Sequence, residues 1–537
     1  MVTTTLPEIP TESPAQETTS LWPALPWPAI AFLILTALIA VLWAAVKLLW
    51  WDEFLVLWTA HQPRMSDVIR TQFHYPIALD PLFYHLVANR MVRLLGPGAW
   101  ALRLPSLAGF LLMQICVYRF LRPIVSERAA VFALVFPALT PGFYYAVEGR
   151  PYGLLLGLCG IAMLSWQAAI RRNQRREGPL IILALSLGLV INTHYYGVLL
   201  IVPLVLAEAT RALRKRRLDV PVLVALAAGL AAAVFVLPCA RAAAPFRPHI
   251  NFVATTRFTP AVVGRVYAQI LPGNGGAGAS PLQLAAVLLV VAVLLVASFI
   301  AYRRLRTSNP AGHDAEFVLL TALTLLPLGG FALALAYTHD LEPRHMIPAL
   351  IGISGLAAIW LDPVLRRFRN GRLLFVATLF AVACVGWYRI SVERGVRAAI
   401  MTGIVVPPEM KAALTSAPDG RIYIQNYEAF SRLWYYEPDP DLRSRFVFVG
   451  SAHEQLRWNR TDTDGLTEQH LERFPNPPPV VSWETLRSRP GSHVFITYGK
   501  DEWNWLPQAF AAHHDDVQPL GPAFTGDAVS VRFHPGS

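Results

Sequence analysis

The sequence predicts a polytopic α-helical membrane protein carrying a soluble C-terminal α/β domain. Three observations predict it. The 537-residue chain is 54% hydrophobic and only 15% charged, where a soluble chain carries about a quarter charged residues. Its mean hydropathy is +0.42, and apolar runs of about 20 residues, enough to cross a bilayer, recur along it. After about residue 395 those runs stop, and short strand-like segments with turn residues between them take over.

Residues 1–24 are rich in Pro, Thr, Ser and Glu and read as a disordered cytoplasmic tail. No Lys or Arg precedes the first apolar run, which argues against a cleaved signal peptide. Residues 25–394 read as the membrane domain. About eleven spans are expected, near 26–50, 99–120, 129–146, 151–170, 179–197, 198–210, 219–240, 281–301, 315–337, 345–362 and 372–390. The sixth is short for a full crossing. Alternate connections are basic: "RRNQRR" (171–176), "RALRKRR" (211–217), "YRRLR" (302–306), "RRFRNGR" (366–372), and a fifth flanked by Arg122 and Arg128. The positive-inside rule places them in the cytoplasm. The N-terminus is then cytoplasmic and Asp52 lies outside. The first span, with Lys47 at its outer end and an acidic tail, disagrees, and the five later connections outvote it.

Residues 52–97 are too long and too patterned for a plain loop. "EFLVLWTA" and "PLFYHLVANRMVRLL" have helical apolar spacing and read as amphipathic helices in the outer interface, with Trp and Tyr at headgroup level. Residues 395–537 read as an outer α/β domain. Its strands are "GRIYIQNY", "SRFVFVGS", "SHVFITYG" and "AVSVRFHP", and its helical stretches include "EAFSRLWYY" and "EWNWLPQAFAAHH". The Gly-rich "PGNGGAGAS" (272–280) follows no strand and lacks a P-loop lysine, so it reads as a loop. The four cysteines stand singly, without metal-ligand spacing, and read as small core residues. No nucleic-acid motif is present, and the net charge of +11 is topological in this class.

The outer connections hold the candidate chemistry. In "LLWWDEFLVLW" (48–58), Asp52 and Glu53 follow an apolar run directly. Asp52 reads either as a helix-end acid facing water or as a general base tuned by a partly dry niche and nearby cations. Adjacent helical residues point about 100° apart. One of the pair therefore faces a reacting atom while the other pairs with a cation or the helix N-terminus. Arg103, Arg150 in "EGRPY" with Glu148 beside it, and Arg344 in "EPRHMIP" are outer arginines that topology does not require. They suit phosphate oxygens, or else lipid headgroups and local ion pairs. "NTHYYG" adds His194 and Tyr195, and His345 follows Arg344. His339, Asp340, Glu342 and His345 match no zinc spacing, so no metal is expected.

"DPLFYHL", "ALRLPSLAGFLL", "ERAAVFALVFPALTPGFYYAVEGRPYGLLLGL" and "NTHYYGVLL" together resemble the membrane glycosyltransferases of the GT-C superfamily. The group in question is the protein-mannosyltransferase-like family 39, with its relatives that modify lipopolysaccharide. The resemblance covers residues 28–210 well and 211–390 in architecture, with "RHMIPAL" similar to the family's Arg-Tyr-x-x-Pro segment. It implies a bacterial inner-membrane enzyme with its site on the periplasmic side. The enzyme moves a sugar from a polyprenyl-phosphate donor to a cell-envelope glycan, lipid or protein, with inversion. Carried over, the acidic pair falls on Asp52 and Glu53, with Asp52 the base, and the donor-phosphate arginines on Arg150, Arg344 and Arg103. Substrate contacts fall on Asp80, Tyr84, Glu148, His194, Tyr195 and His345, and no cofactor is implied. Many relatives have His-Pro-Pro-Leu-Tyr where this chain has Asp80-Pro81-Leu82-Phe83-Tyr84, a departure that bears on acceptor choice and on any metal. The C-terminal domain is expected to select or orient the acceptor. The alternative reading is a transporter or flippase. Carriers place ionisable groups near the bilayer midplane in repeated halves, whereas this sequence has no repeat and clusters its polar groups on one face.

Overall fold

The computed structural model describes residues 24–172, 174–246, 260–271, 280–308, 312–338, 341–404, 408–415, 417, 419–497, 504–523 and 526–534. The expected tail, most of the Gly-rich loop, and His339 and Asp340 lie outside the described residues.

The first span, α1 (Trp27–Val46), leads into three short helices, α2 (Trp51–Ala60), α3 (Met65–His74) and α4 (Leu82–Leu95). The bundle continues with α5 (Ala99–Leu121), α6 (Glu127–Leu139), α7 (Tyr152–Arg171), α8 (Glu177–Thr193), α9 (Ile201–Lys215), α10 (Val220–Ala231) and α11 (Leu237–Ala242). Then come α12 (Ala261–Ile270), α13 (Pro281–Ser308), α14 (Asp314–Thr324), α15 (Leu326–Leu333), α16 (Ala349–Arg367) and α17 (Gly371–Ile404).

Among the described residues eight helices are long and apolar enough to cross a membrane, and the pair Asp314–Thr324 and Leu326–Ala336 makes a ninth, bent by 50°. Pro327, in the first turn of α15, removes a helical N–H and accounts for the break. The two remaining expected spans are the shorter helices α6 and α8. The expected helices are thus all present, but fewer are full crossings. The pairing of α5 with α7 is unusually close. A Cβ on Gly109 would lie 2.4 Å from the Gly153 carbonyl, and one on Gly153 would lie 2.3 Å from that of Ser106. Only hydrogen side chains allow this approach, the small-residue packing of membrane helices.

The basic connections meet at one end of the bundle and are ion-paired there. Arg176 and Arg211 share Asp219 at 2.5 and 2.6 Å, Arg171 holds Glu316 at 2.8 Å, and Arg214 pairs with Asp314. Arg128 donates to the carbonyls of Leu365 and Phe368. The short helices α2, α3 and α4 lie at the opposite end.

The helix α17 runs 34 residues, through the boundary expected near 395, and carries the chain towards the C-terminal domain. That domain contains α18 (Pro408–Thr415), β1 (Ile422–Ile424), α19 (Tyr427–Tyr436), α20 (Pro440–Arg443), β2 (Phe446–Gly450), α21 (Ala452–Asn459) and α22 (Thr463–Leu471). It closes with β3 (Val480–Ser482), α23 (Trp483–Arg487), β4 (Ser492–Thr497), α24 (Leu506–Ala512), β5 (Asp516–Ala523) and β6 (Gly526–Arg532). The sheet order is β3-β2-β1-β4-β6-β5. The first four strands are parallel and the last pair adds antiparallel. All four expected strands form. The two that sequence patterning missed are the three-residue β3 and the edge strand β5, whose two prolines hide it.

The domain is docked on α2. Trp51 meets Tyr427, Phe54 meets Tyr435, and Trp58 packs on Trp434 with ring centroids 4.5 Å apart. The Leu49 N–H donates to the Tyr436 hydroxyl at 2.7 Å, and Gln62 exchanges hydrogen bonds with the backbone of Asn476. Leu49, Phe54, Trp58, Tyr427, Phe430 and Phe448 belong to one apolar core. The expectation that the Trp residues of α2 lie at headgroup level is therefore corrected for Trp58. Trp58 is 3% exposed, because the face turned away from the bundle is covered by α19.

Candidate active site

The site begins where α1 stops. Lys47 leaves the helix in extended conformation, and α2 starts at Trp51 with Asp52 and Glu53 in its first turn. Acids there meet the positive end of the helix dipole. Being adjacent, the two side chains diverge into different environments.

Glu53 turns inward and is fully buried. It accepts from Lys47 Nζ at 3.0 Å, Arg103 Nε at 2.8 Å, Arg103 Nη2 at 2.9 Å and the Gly149 N–H at 2.7 Å. Burial alone would raise its pKa, but the charges of Arg103 and Lys47 and the hydrogen bonds outweigh it and hold the carboxyl at about 2. A side chain at position 149 would crowd this arrangement, since its Cβ would lie 2.8 Å from that of Leu102 and 3.1 Å from Glu53 Oε1. Arg103 also donates to the carbonyls of Ala44, Lys47 and Leu48. Those three bonds and the two to Glu53 occupy every N–H of the guanidinium. The expectation that Arg103 holds a donor phosphate is corrected: it has no donor to give. Glu53, likewise saturated, is the cation-paired member of the acidic pair rather than a reacting group.

Asp52 turns the other way, and its side chain is 16% exposed. One oxygen, Oδ2, lies 3.6 Å from Arg150 Nη2 and 3.6 Å from Arg344 Nη1. No hydrogen bond from the described residues reaches that oxygen. Arg150 Nη2 also lies 3.0 Å from Asp80 Oδ2. Arg344 sits over the Trp50 ring and Arg150 over that of Tyr152. Four residues from three separate outer connections therefore converge on one hollow: Asp52 and Asp80 from the α1–α5 connection, Arg150 and Arg344.

Glu148 is buried beside them, with Oε2 lacking a hydrogen bond. Burial, opposed by Lys47 and reinforced by Glu53, pushes it up to about 7. His194 and His345 stand with ring centroids 4.9 Å apart, and Tyr196 stacks on His345 at 4.9 Å. Both imidazoles are neutral. Burial lowers His194 to about 3 and His345 well below the ordinary range, and the neighbouring arginines add to it. Each Nδ1 accepts a backbone N–H, from Tyr196 and Glu342 respectively, so each ring carries its proton on Nε2.

Two expected substrate contacts are placed differently. Tyr84 is fully buried and donates to the Leu102 carbonyl at 3.0 Å, a packing role rather than a ligand contact. At "THYYG" the ring that joins the imidazoles is Tyr196, whereas Tyr195 is half-buried against the bundle core. Sequence reasoning also missed Lys47 and His85. Lys47 carried a signal, a cation at the wrong end of a span for the charge asymmetry. His85 is fully buried with neither ring nitrogen hydrogen-bonded to the described residues, and Asp80 and Arg150 are its charged neighbours. Nothing in its local sequence marks it. Among the described residues no three His, Cys, Asp or Glu side chains come together as a metal-ligand set.

Residues 80–240 match the family model described as dolichyl-phosphate-mannose-protein mannosyltransferase. The fold is similar to ArnT from Cupriavidus metallidurans bound to undecaprenyl phosphate. That match has a TM-score of 0.56 at 15% identity, covering 95% of this chain and 98% of that one. The apo form of the same protein matches with a TM-score of 0.54 at 14% identity, covering 94% and 98%. No curated protein sequence matches the chain. The GT-C resemblance read from the sequence is borne out: this is a helical membrane protein of the GT-C glycosyltransferase fold with a small C-terminal sheet domain.

Proposed function

We propose that the chain transfers a sugar from a polyprenyl-phosphate donor to a hydroxyl or amine of an extracytoplasmic acceptor, with inversion, in a bacterial plasma membrane. The observation that carries this reading is the single Asp52 oxygen held equidistant from two guanidiniums. The clasped basic connections at the far end of the bundle support an outward-facing hollow. The undecaprenyl phosphate in the ArnT structure supports the class of donor lipid.

In the proposed reaction the acceptor oxygen or nitrogen bonds to the anomeric carbon as the carbon–oxygen bond to phosphate breaks. The electron pair of that bond passes to the phosphate, and the acceptor proton passes to Asp52. Protonation removes a negative charge from Asp52 while the leaving phosphate gains one. Arg150 and Arg344 then exchange one anion for the other within the same hollow. Their attraction to the phosphate strengthens along the reaction coordinate, which is what catalysis requires. Asp80 keeps Arg150 oriented throughout. The neutral His194 and His345 present Nε2–H donors without adding charge.

Asp52→Asn tests the assignment. It should reduce transfer by about 10²–10⁴-fold, the usual value of a general base, while donor lipid still binds to the two arginines. Wild-type turnover by a purified Asp52→Asn protein rules the base out.

A further inference from the structure

A second cleft, separate from the Asp52 hollow, opens where the C-terminal domain rests on the membrane domain. Its volume is about 480 Å³ and it is lined by Trp58 of α2, His61 just past the end of that helix, Trp434 and Tyr435 of α19, and Arg443 at the end of α20. That volume is within the range of small-ligand sites. We propose that this cleft binds an anionic saccharide, a sugar ring bearing a phosphate or a carboxylate, as part of the acceptor; the acceptor role rests on the transferase reading above, whereas the binding does not.

Two features of the lining select the ligand. The first is polarity by sign. The cleft presents indole, phenol, imidazole and guanidinium groups, and among the described residues no carboxylate lines it. Trp58 Nε1 is buried without a hydrogen-bond partner among the described residues, in a residue 3% exposed. Leaving such a donor unsatisfied costs about 1–3 kcal/mol, so an oxygen-rich ligand that accepts from it is favoured. Arg443 is half-buried and makes no side-chain hydrogen bond or ion pair with the described residues. Glu437 is a charged neighbour of Arg443 but does not pair with it, so the guanidinium donors can take a planar or tetrahedral anion. The second feature is the aromatic character of the walls. Trp434 and Tyr435 are both half-buried and offer apolar ring area beside hydrogen-bonding edges, which suits a sugar ring's apolar face and rim of hydroxyls.

Position ties the cleft to the hollow. Trp58 is six residues from Asp52 on one helix, about 9 Å of rise. Because Trp58 and Phe54 are gripped by α19 while Asp52 faces the arginines, one rigid helix spans both sites. An acceptor held by its charged ring in the cleft would have the base about one and a half turns away along the same helix.

The test is equilibrium binding of glucose 6-phosphate and of glucose to the full-length protein in nanodiscs. Wild type should bind glucose 6-phosphate about tenfold more tightly than glucose, the discrimination expected of one charge-assisted contact. Arg443→Ala should abolish that preference while leaving weak glucose binding, and Trp434→Ala should weaken both at least about tenfold. Arg150→Ala should keep the preference. The proposal is overturned if wild type shows no preference, if the preference survives Arg443→Ala, or if Arg150→Ala removes it, since the anion is then read in the donor hollow. Loss of the transferase reading through an active Asp52→Asn protein would leave these binding outcomes unaltered, so the two failures are distinguishable.

Discussion

Glu53→Gln should destabilise the fold and not only inactivate the protein. The side chain is fully buried and its carboxyl sits at about 2 instead of 4.5. At 1.36 kcal/mol per pH unit, that difference corresponds to about 3 kcal/mol of stability at neutral pH. The sign follows from the direction of the shift. A depressed carboxyl stabilises the fold above pH 4.5, and the contribution is lost as pH falls towards 2. Glutamine removes the charge but leaves Lys47 and Arg103 buried, at 5% and 1% exposure. Breaking a buried pair from one side costs about 3–5 kcal/mol, and both estimates point to the same scale. Steric trapping in bicelles at neutral pH measures the loss directly. A change below about 1 kcal/mol, the level of an ordinary surface substitution, would refute the account of Glu53 as the keystone between α1, α2, α5 and the α6–α7 connection.

Donor binding should depend on pH through Glu148. With its carboxyl at about 7, it is neutral below that pH and adds a carboxylate beside Arg150 above it. Donor KM should therefore rise between about pH 6 and pH 8 in wild type and stay flat in Glu148→Gln; identical profiles would exclude the residue from this role. Gly153→Leu should separate α5 from α7, because even a Cβ at that position meets the Ser106 carbonyl at 2.3 Å. The loss should exceed the usual 1–3 kcal/mol of overpacking, read by the same trapping assay, and a folded variant of wild-type stability would contradict the close packing.

Much of the architecture was legible because the bilayer leaves few options. Apolar length and alternating basic loops located the helices, including the one that Pro327 bends. The acids and arginines of the hollow were legible because nothing topological required them where they stand. The division of labour between Asp52 and Glu53 followed from helical geometry, though not which residue would be saturated. That depended on Lys47 and on Gly149, whose role is a backbone N–H and a missing Cβ, neither of which a pattern reveals. Arg103 misled for a related reason. An outer arginine suits phosphate and backbone carbonyls equally, and the carbonyls came from the last turn of α1 and the unwound chain after it. The docking of α19 on α2 was invisible for another reason. The amphipathic pattern of α2 identifies an apolar face but not whether lipid or protein covers it.

The partners of Glu53 also say something about biosynthesis. Lys47, Arg103 and Gly149 all leave the ribosome early, whereas Arg344 follows only after the later spans, and Tyr436 last of all. Since chains begin to fold from the N-terminal side during synthesis, the saturated knot around Glu53 can close while the second guanidinium of the hollow is still untranslated. Nascent chains would then carry a finished scaffold and an incomplete hollow until the final third of translation, a built-in delay before the proposed donor site can form.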